Sequence, residues 1–148
     1  MRILPPPVWV LVYIVIAVGV SYLFGWPRIS GLPIIWLGIL LIVGAGVLMA
    51  FAIRLFRREG TEIDPNSTTN RKLVTTGPYR FTRNPMYLGW AIVTLGVACL
   101  IGTWPMFVAS IAFFATMNWV QIPFEEIKMR RQFGEAFDKY TREVRRWM

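Results

Sequence analysis

The sequence predicts an all-α integral membrane protein with four transmembrane helices and a C-terminal amphipathic helix at the membrane interface. Three observations carry this. Of 148 residues, 55% are apolar and 16% charged, with a mean hydropathy of +0.50, outside the range of ordinary soluble domains. Charge is segregated: all 8 acidic residues, and all of the 16 basic ones except Arg28, fall within 1–2, 54–83 and 125–146. Between these blocks lie uncharged stretches long enough to cross a bilayer as helices. The whole chain, 1–148, reads as one domain.

The first span is 7–26, rich in Val, Ile, Leu and aromatic residues. A cleaved leader fits poorly, because the basic region holds one arginine, three prolines follow, and no small-x-small site comes after Trp26. Trp26-Pro27-Arg28-Ile29-Ser30-Gly31 is turn chemistry, and Pro33 suits the first turn of the second span, 33–53. Gly38, Gly44, Ala45, Gly46 and Ala50 there either let helix backbones approach closely or reflect the general frequency of glycine in membrane helices.

Residues 54–85 form a hydrophilic connector carrying Arg54, Arg57, Arg58, Arg71, Lys72, Arg80 and Arg83, with an irregular run at 61–67. From Asn84 to Phe124 no charge occurs, too long for one crossing and suited to a tight hairpin. Its hinge is Gly102-Thr103-Trp104-Pro105, so spans three and four are 86–101 and 104–122. In the last segment, 123–147, Phe133, Phe137, Tyr140, Val144 and Trp147 form an apolar stripe at helical spacing with basic residues off it. That pattern suits a helix lying among anionic headgroups, a helix packed on its own protein, or both.

An even number of spans puts both termini and the 54–85 connector on one face, and the excess of Lys and Arg there makes that face cytoplasmic. The same rule accounts for the basic balance without nucleic acid. Histidine is absent and Cys99 is the one cysteine, which leaves no imidazole base and no ligand cluster for a metal. A small transporter is a rival class, as is a non-catalytic scaffold with a lipid-binding basic helix. Against transport, the spans hold no intramembrane charge of the kind that marks an ion path.

The stretch 72–89 is where chemistry concentrates. A connector after span two and a helix after span four emerge on one face, so Tyr79, Asn84 and Tyr87 can meet Gln121, Glu125 and Glu126. Gln121 and Glu125 share a helical face. Carboxylate, amide and tyrosine rings together suit a polar, positively charged cofactor. Each piece also has a plain reading: Glu125 and Glu126 as N-terminal helix residues, Arg80 and Arg83 as topology signals, and the tyrosines as interface anchors.

The ordered set Leu73-Val74-Thr75-Thr76-Gly77-Pro78-Tyr79, Arg83-Asn84-Pro85-Met86-Tyr87-Leu88-Gly89, Glu125-Glu126 before Phe133-Gly134, then Tyr140 and Val144 resembles the isoprenylcysteine carboxyl methyltransferase family. It is also similar to the related phospholipid methyltransferases. The resemblance covers about residues 59–146. It implies S-adenosylmethionine as cofactor, with S-adenosylhomocysteine as product, held by Arg71, Lys72, Leu73, Val74, Tyr79, Asn84, Pro85, Met86, Tyr87 and Glu125. It places Asn84, Tyr87 and Glu125 at the reacting centre and Gln121 against the substrate. The implied partners are membrane lipid and a lipophilic or prenylated acceptor bearing a carboxylate, a thiol or a lipid headgroup. Two positions depart from the family pattern. Asn84 stands where a histidine is usual, and Gln121 stands where an arginine grips a carboxylate, a two-pronged contact that an amide cannot supply.

Overall fold

The computed structural model describes residues 4–29, 35–60 and 73–148. Pro33, Arg71, Lys72 and the 61–67 run lie outside the described residues. Among the described residues six α-helices follow in order: α1 (Pro6–Leu23), α2 (Ile35–Arg58), α3 (Pro85–Ile101), α4 (Trp104–Thr116), α5 (Ile122–Phe133) and α6 (Glu135–Glu143). A 3₁₀ turn, Gly77–Arg80, precedes α3, and a π-helical segment, Met117–Gln121, joins α4 to α5. Among the described residues extended pairing is limited to one antiparallel bridge, Arg28 with Thr103.

Among the described residues three helices are long and apolar enough to cross a membrane: Pro6–Leu23, Ile35–Arg58 and the continuous Trp104–Phe133. The fourth apolar helix, Pro85–Ile101, is shorter, about 25 Å at the usual helical rise. Much of the outer surface is apolar: Leu11 is 63% exposed, Leu40 67% and Ile111 69%. Hydrocarbon accepts such a surface, whereas water does not.

Several expected boundaries move. The second helix does not stop at residue 53 but carries Arg54, Arg57 and Arg58 on its last turns, because arginines near a helix C-terminus are favoured by its dipole. The fourth span and the C-terminal helix are not separate elements, since the helix runs unbroken from Trp104 to Phe133. Pro123 lacks the N–H that would bond the Trp119 carbonyl, and its ring crowds that carbonyl. The wider π turn just before it absorbs the mismatch. The expected 123–147 helix is instead broken at Gly134, whose φ of 52° and ψ of −127° belong to glycine's own region, and it ends at Glu143.

The hinge forms as its sequence predicts. Gly102 closes α3 at φ 72°, Thr103 precedes α4, and Pro105 sits in the first turn. Small residues in α2 divide by face. A Cβ on Gly38 would lie 2.7 Å from the Gly96 carbonyl, and one on Gly96 would lie 2.7 Å from Ile42 Cγ1, so α2 and α3 touch backbone to backbone. Gly44 and Gly46 face open space. Antiparallel to α1, α4 is joined to it by Tyr13 Oη to Thr116 Oγ1 at 2.6 Å near one end and Ser21 Oγ to Thr103 Oγ1 at 3.0 Å near the other.

Three buried clusters run along the bundle. Ala17, Ala98, Met106 and Ala109 fill the hinge end. Val10, Tyr87, Phe113, Met117 and Ile122 fill the opposite end. Beyond them Ala52, Val74, Tyr79, Phe137 and Tyr140 form a third. The apolar stripe of the C-terminal segment is therefore turned into the protein: Phe137 and Tyr140 are 4% and 6% exposed.

Candidate functional site

The connector reaches α3 through a tightly fixed turn. Gly77 takes φ 60° and Pro78 opens the 3₁₀ turn. Tyr79 packs its ring on Phe56 at 5.1 Å, and its carbonyl accepts the Tyr140 hydroxyl at 2.7 Å. Burial pushes the Tyr79 phenol well above its ordinary range, and Tyr140 and Glu125 add to that push. Burial also raises Tyr140, against the pull of Arg83. Both hydroxyls stay protonated. Leu73, Val74 and Met86 belong to the same packed cluster.

Asn84 and Pro85 start α3. The Asn84 carboxamide is not aimed at the centre of the bundle; it donates to the Arg146 carbonyl at 3.0 Å. Pro85 is fully buried. One turn on, the Tyr87 hydroxyl donates to Glu125 Oε1. The start of α3 and the segment beyond α4 thus meet at this pair.

Glu125 is the first charged residue after the uncharged stretch of the long helix. It is half-buried, with protein around it close enough to desolvate the carboxylate. Burial pushes its carboxyl up to about 7, against the opposing pull of the Tyr87 hydrogen bond and Lys128. Gln121, one turn earlier, is wholly buried. It lies beside the Tyr87 hydroxyl, yet its Oε1 and Nε2 have no well-formed hydrogen-bond partner within the protein. A buried polar atom left so costs about 1–3 kcal/mol, and native proteins keep such atoms mainly where a ligand or water completes them.

Glu126, the neighbouring carboxylate, is engaged differently. Its Oε1 accepts from Arg83 at 3.1 Å and from Arg146 Nε at 3.1 Å, and its Oε2 accepts from Arg146 at 2.7 Å. Burial lowers the Arg83 guanidinium below its usual range, and Glu126 opposes that shift. Sequence reading named Arg83 and Glu126 separately and put Trp147 on the apolar stripe, but it did not join them to Arg146 and Asn118. The signal available was the pair of arginines at 145 and 146, which composition alone assigns to topology. Among the described residues no cluster of metal-ligating side chains occurs.

A helical bundle whose outer surface is apolar enough for hydrocarbon defines the class, a membrane protein, and at one end of the bundle the Tyr87–Glu125 pair lies beside Gln121. Residues 33–136 match the model of the phospholipid methyltransferase family, and the chain belongs to that family. It is 28% identical over 114 residues to a probable protein-S-isoprenylcysteine O-methyltransferase of Oryza sativa subsp. indica, covering 74% of this chain and 58% of that protein. It is 31% identical over 127 residues to protein-S-isoprenylcysteine O-methyltransferase B of Arabidopsis thaliana, covering 80% and 57%. The chain therefore spans well under two thirds of the length of these relatives. No solved structure matches it.

Proposed function

We propose that this chain is a membrane methyltransferase that uses S-adenosylmethionine and acts on a lipophilic acceptor. In this reading four helices cross the bilayer, α3 being the short one, and both termini and the 54–85 connector face the cytosol. The observation that carries the proposal is the Tyr87–Glu125 pair beside the unpartnered Gln121 amide, in a chain of the phospholipid methyltransferase family.

The residues present fit the cofactor. Glu125 has an oxygen left for ribose hydroxyls or an ammonium group, and the buried amide of Gln121 needs an outside partner. Tyr87 holds Glu125 by its O–H, and Leu73, Val74, Tyr79 and the Asn84–Met86 turn join them in the proposed set. Arg71 and Lys72 belong to the same proposed set. When bound, S-adenosylmethionine supplies a methyl group on a sulfonium, which a nucleophile can displace in line. The chain contributes orientation and exclusion of water. A carboxylate or thiolate acceptor needs no base; for an amine acceptor, Glu125, with its carboxyl near neutrality, is the group placed to take the proton. Gln121 faces the acceptor, and as a neutral donor and acceptor it favours an uncharged or hydrogen-bonding group over a carboxylate.

Calorimetry with S-adenosylmethionine on detergent-solubilised protein tests the cofactor site. Wild type should bind, and Glu125→Ala and Tyr87→Ala should abolish binding; full affinity in both variants overturns the assignment. Incubating membranes with methyl-labelled S-adenosylmethionine and fractionating the label into lipid, prenylated thiol and small molecules then identifies the acceptor.

A further inference from the structure

We infer that Arg146 is the positioning residue of the Tyr87–Glu125 pair, because this one residue ties together both chain segments that carry it. Its carbonyl accepts from Thr82 Oγ1 and from Asn84 Nδ2, each at 3.0 Å, and the Arg83 N–H donates to the preceding carbonyl, Arg145, at 3.0 Å. These bonds fix the start of α3, and with it Tyr87. Its guanidinium forks onto Glu126, next in sequence to Glu125, and also reaches the Asn118 carbonyl at 3.2 Å. It therefore links the π-helical segment, at Asn118, to the first turns of α5, at Glu126, and sets where Gln121 and Glu125 emerge.

The neighbouring side chain reinforces the arrangement. Trp147 donates from Nε1 to Asn118 Oδ1 at 2.9 Å and lies on Phe114 at 4.6 Å. Val144 ends α6 in an extended conformation, no helix continues beyond it, and the segment is placed by these contacts and by the packing of Trp147 on the cluster that holds Tyr87. The planar, forked guanidinium is essential to this design. A lysine keeps the charge but cannot satisfy Glu126 in two-pronged fashion and Asn118 at once.

Arg146 meets the proposed cofactor site only by holding Asn84 from behind, so its effect is transmitted through Asn84, Tyr87 and Glu125. The catalytic consequence rests on the methyltransferase reading; the geometric one does not. The test uses Arg146→Lys in the full chain, with 3-fluorotyrosine at the 5 tyrosines and the Tyr87 signal assigned by Tyr87→Phe. Fluorine spectra are taken without ligand, at a temperature where circular dichroism shows native helix content. We expect the Tyr87 signal to move by as much as it does in Glu125→Gln, and S-adenosylmethionine affinity to fall about 10-fold or more, since small displacements of positioned groups carry penalties of that order.

A Tyr87 signal at its wild-type position in Arg146→Lys overturns the inference, whatever the affinity. A moved signal in a protein whose wild type fails to bind S-adenosylmethionine upholds the positioning role and removes the methyltransferase reading instead. If Arg146→Lys does not fold, Glu126→Gln decides. It takes away the charged, two-pronged partner of Arg146 while leaving Tyr87 and Glu125 in the chain, and a smaller movement of the same signal is expected; no movement overturns the inference.

Discussion

The phenol of Tyr87, in the first turn of α3, donates its proton to the carboxylate of Glu125, in the first turn of α5, across a sequence separation of 38 residues. Only a particular crossing of two helices and a fixed turn before each brings them together. A hydrogen bond to a charged group contributes about 1.5–3 kcal/mol. Tyr87→Phe should therefore weaken S-adenosylmethionine binding roughly 10-fold or more, since every 1.4 kcal/mol is tenfold. Glu125→Gln should weaken it at least as much, and the double variant should lose little beyond the larger single effect. Calorimetric titration of the four proteins measures this; strictly additive losses refute the coupling.

Protonation of Glu125 gives a pH dependence with a definite sign. Its carboxyl rises from 4.5 to about 7 on folding, chiefly by burial, so the folded protein prefers the protonated form. Stability is then highest below the unfolded value of 4.5 and falls as pH rises through about 7. Ligand affinity runs the other way, because the ionised carboxylate is the better acceptor for ribose hydroxyls and ammonium. Thermal midpoints should fall and S-adenosylmethionine affinity should rise between about pH 6 and pH 8. Both trends should flatten in Glu125→Gln.

Gln121 offers a stability–function test. Leucine has nearly the same size and removes two buried atoms that lack partners. Gln121→Leu should raise stability by about 1–3 kcal/mol while lowering methyl transfer, as expected when strain is kept for a ligand. Denaturation and label transfer on the same preparation read both quantities. Lower stability in the variant shows instead that the amide is satisfied within the fold.

The α2–α3 contact predicts a sharp contrast among glycines. Gly96→Val or Gly38→Val forces side-chain atoms into opposing backbone and should destabilise by about 1–3 kcal/mol or more. Gly44→Val and Gly46→Val, which meet nothing nearby, should leave the unfolding midpoint almost unchanged. Detergent unfolding curves for the four variants distinguish the two faces.

Gly134 separates α5 from α6 at a backbone conformation closed to other residues. Gly134→Ala should destabilise by about 1–3 kcal/mol, although no atom lies near enough to clash. Because the pivot sets where α6 lies, the thermal midpoint should drop together with protection of the Tyr140 hydroxyl bond to the Tyr79 carbonyl, read by tyrosine fluorescence.

The two departures at Asn84 and Gln121 look alike in sequence but differ in place. Asn84 is taken up by the Arg146 carbonyl and serves the turn, whereas Gln121 stands buried beside Tyr87 with its amide unspent. Nothing in residue type distinguishes them. The expected interfacial stripe of the last segment has the correct spacing, but periodicity identifies an apolar face without identifying what covers it. Here Val74 and Tyr79 cover it.

By itself the sequence determined where apolar helices form, where the Gly102–Pro105 hinge turns, and which family motif the chain carries, because hydropathy, proline and glycine act through neighbours in the chain. Only the tertiary structure decided that α4 continues through a π turn into α5, that the last segment folds inward, and that Arg146 joins the two halves of the site. Those features are hydrogen bonds and packing between residues far apart in sequence, and such pairings leave no period or local signature to read.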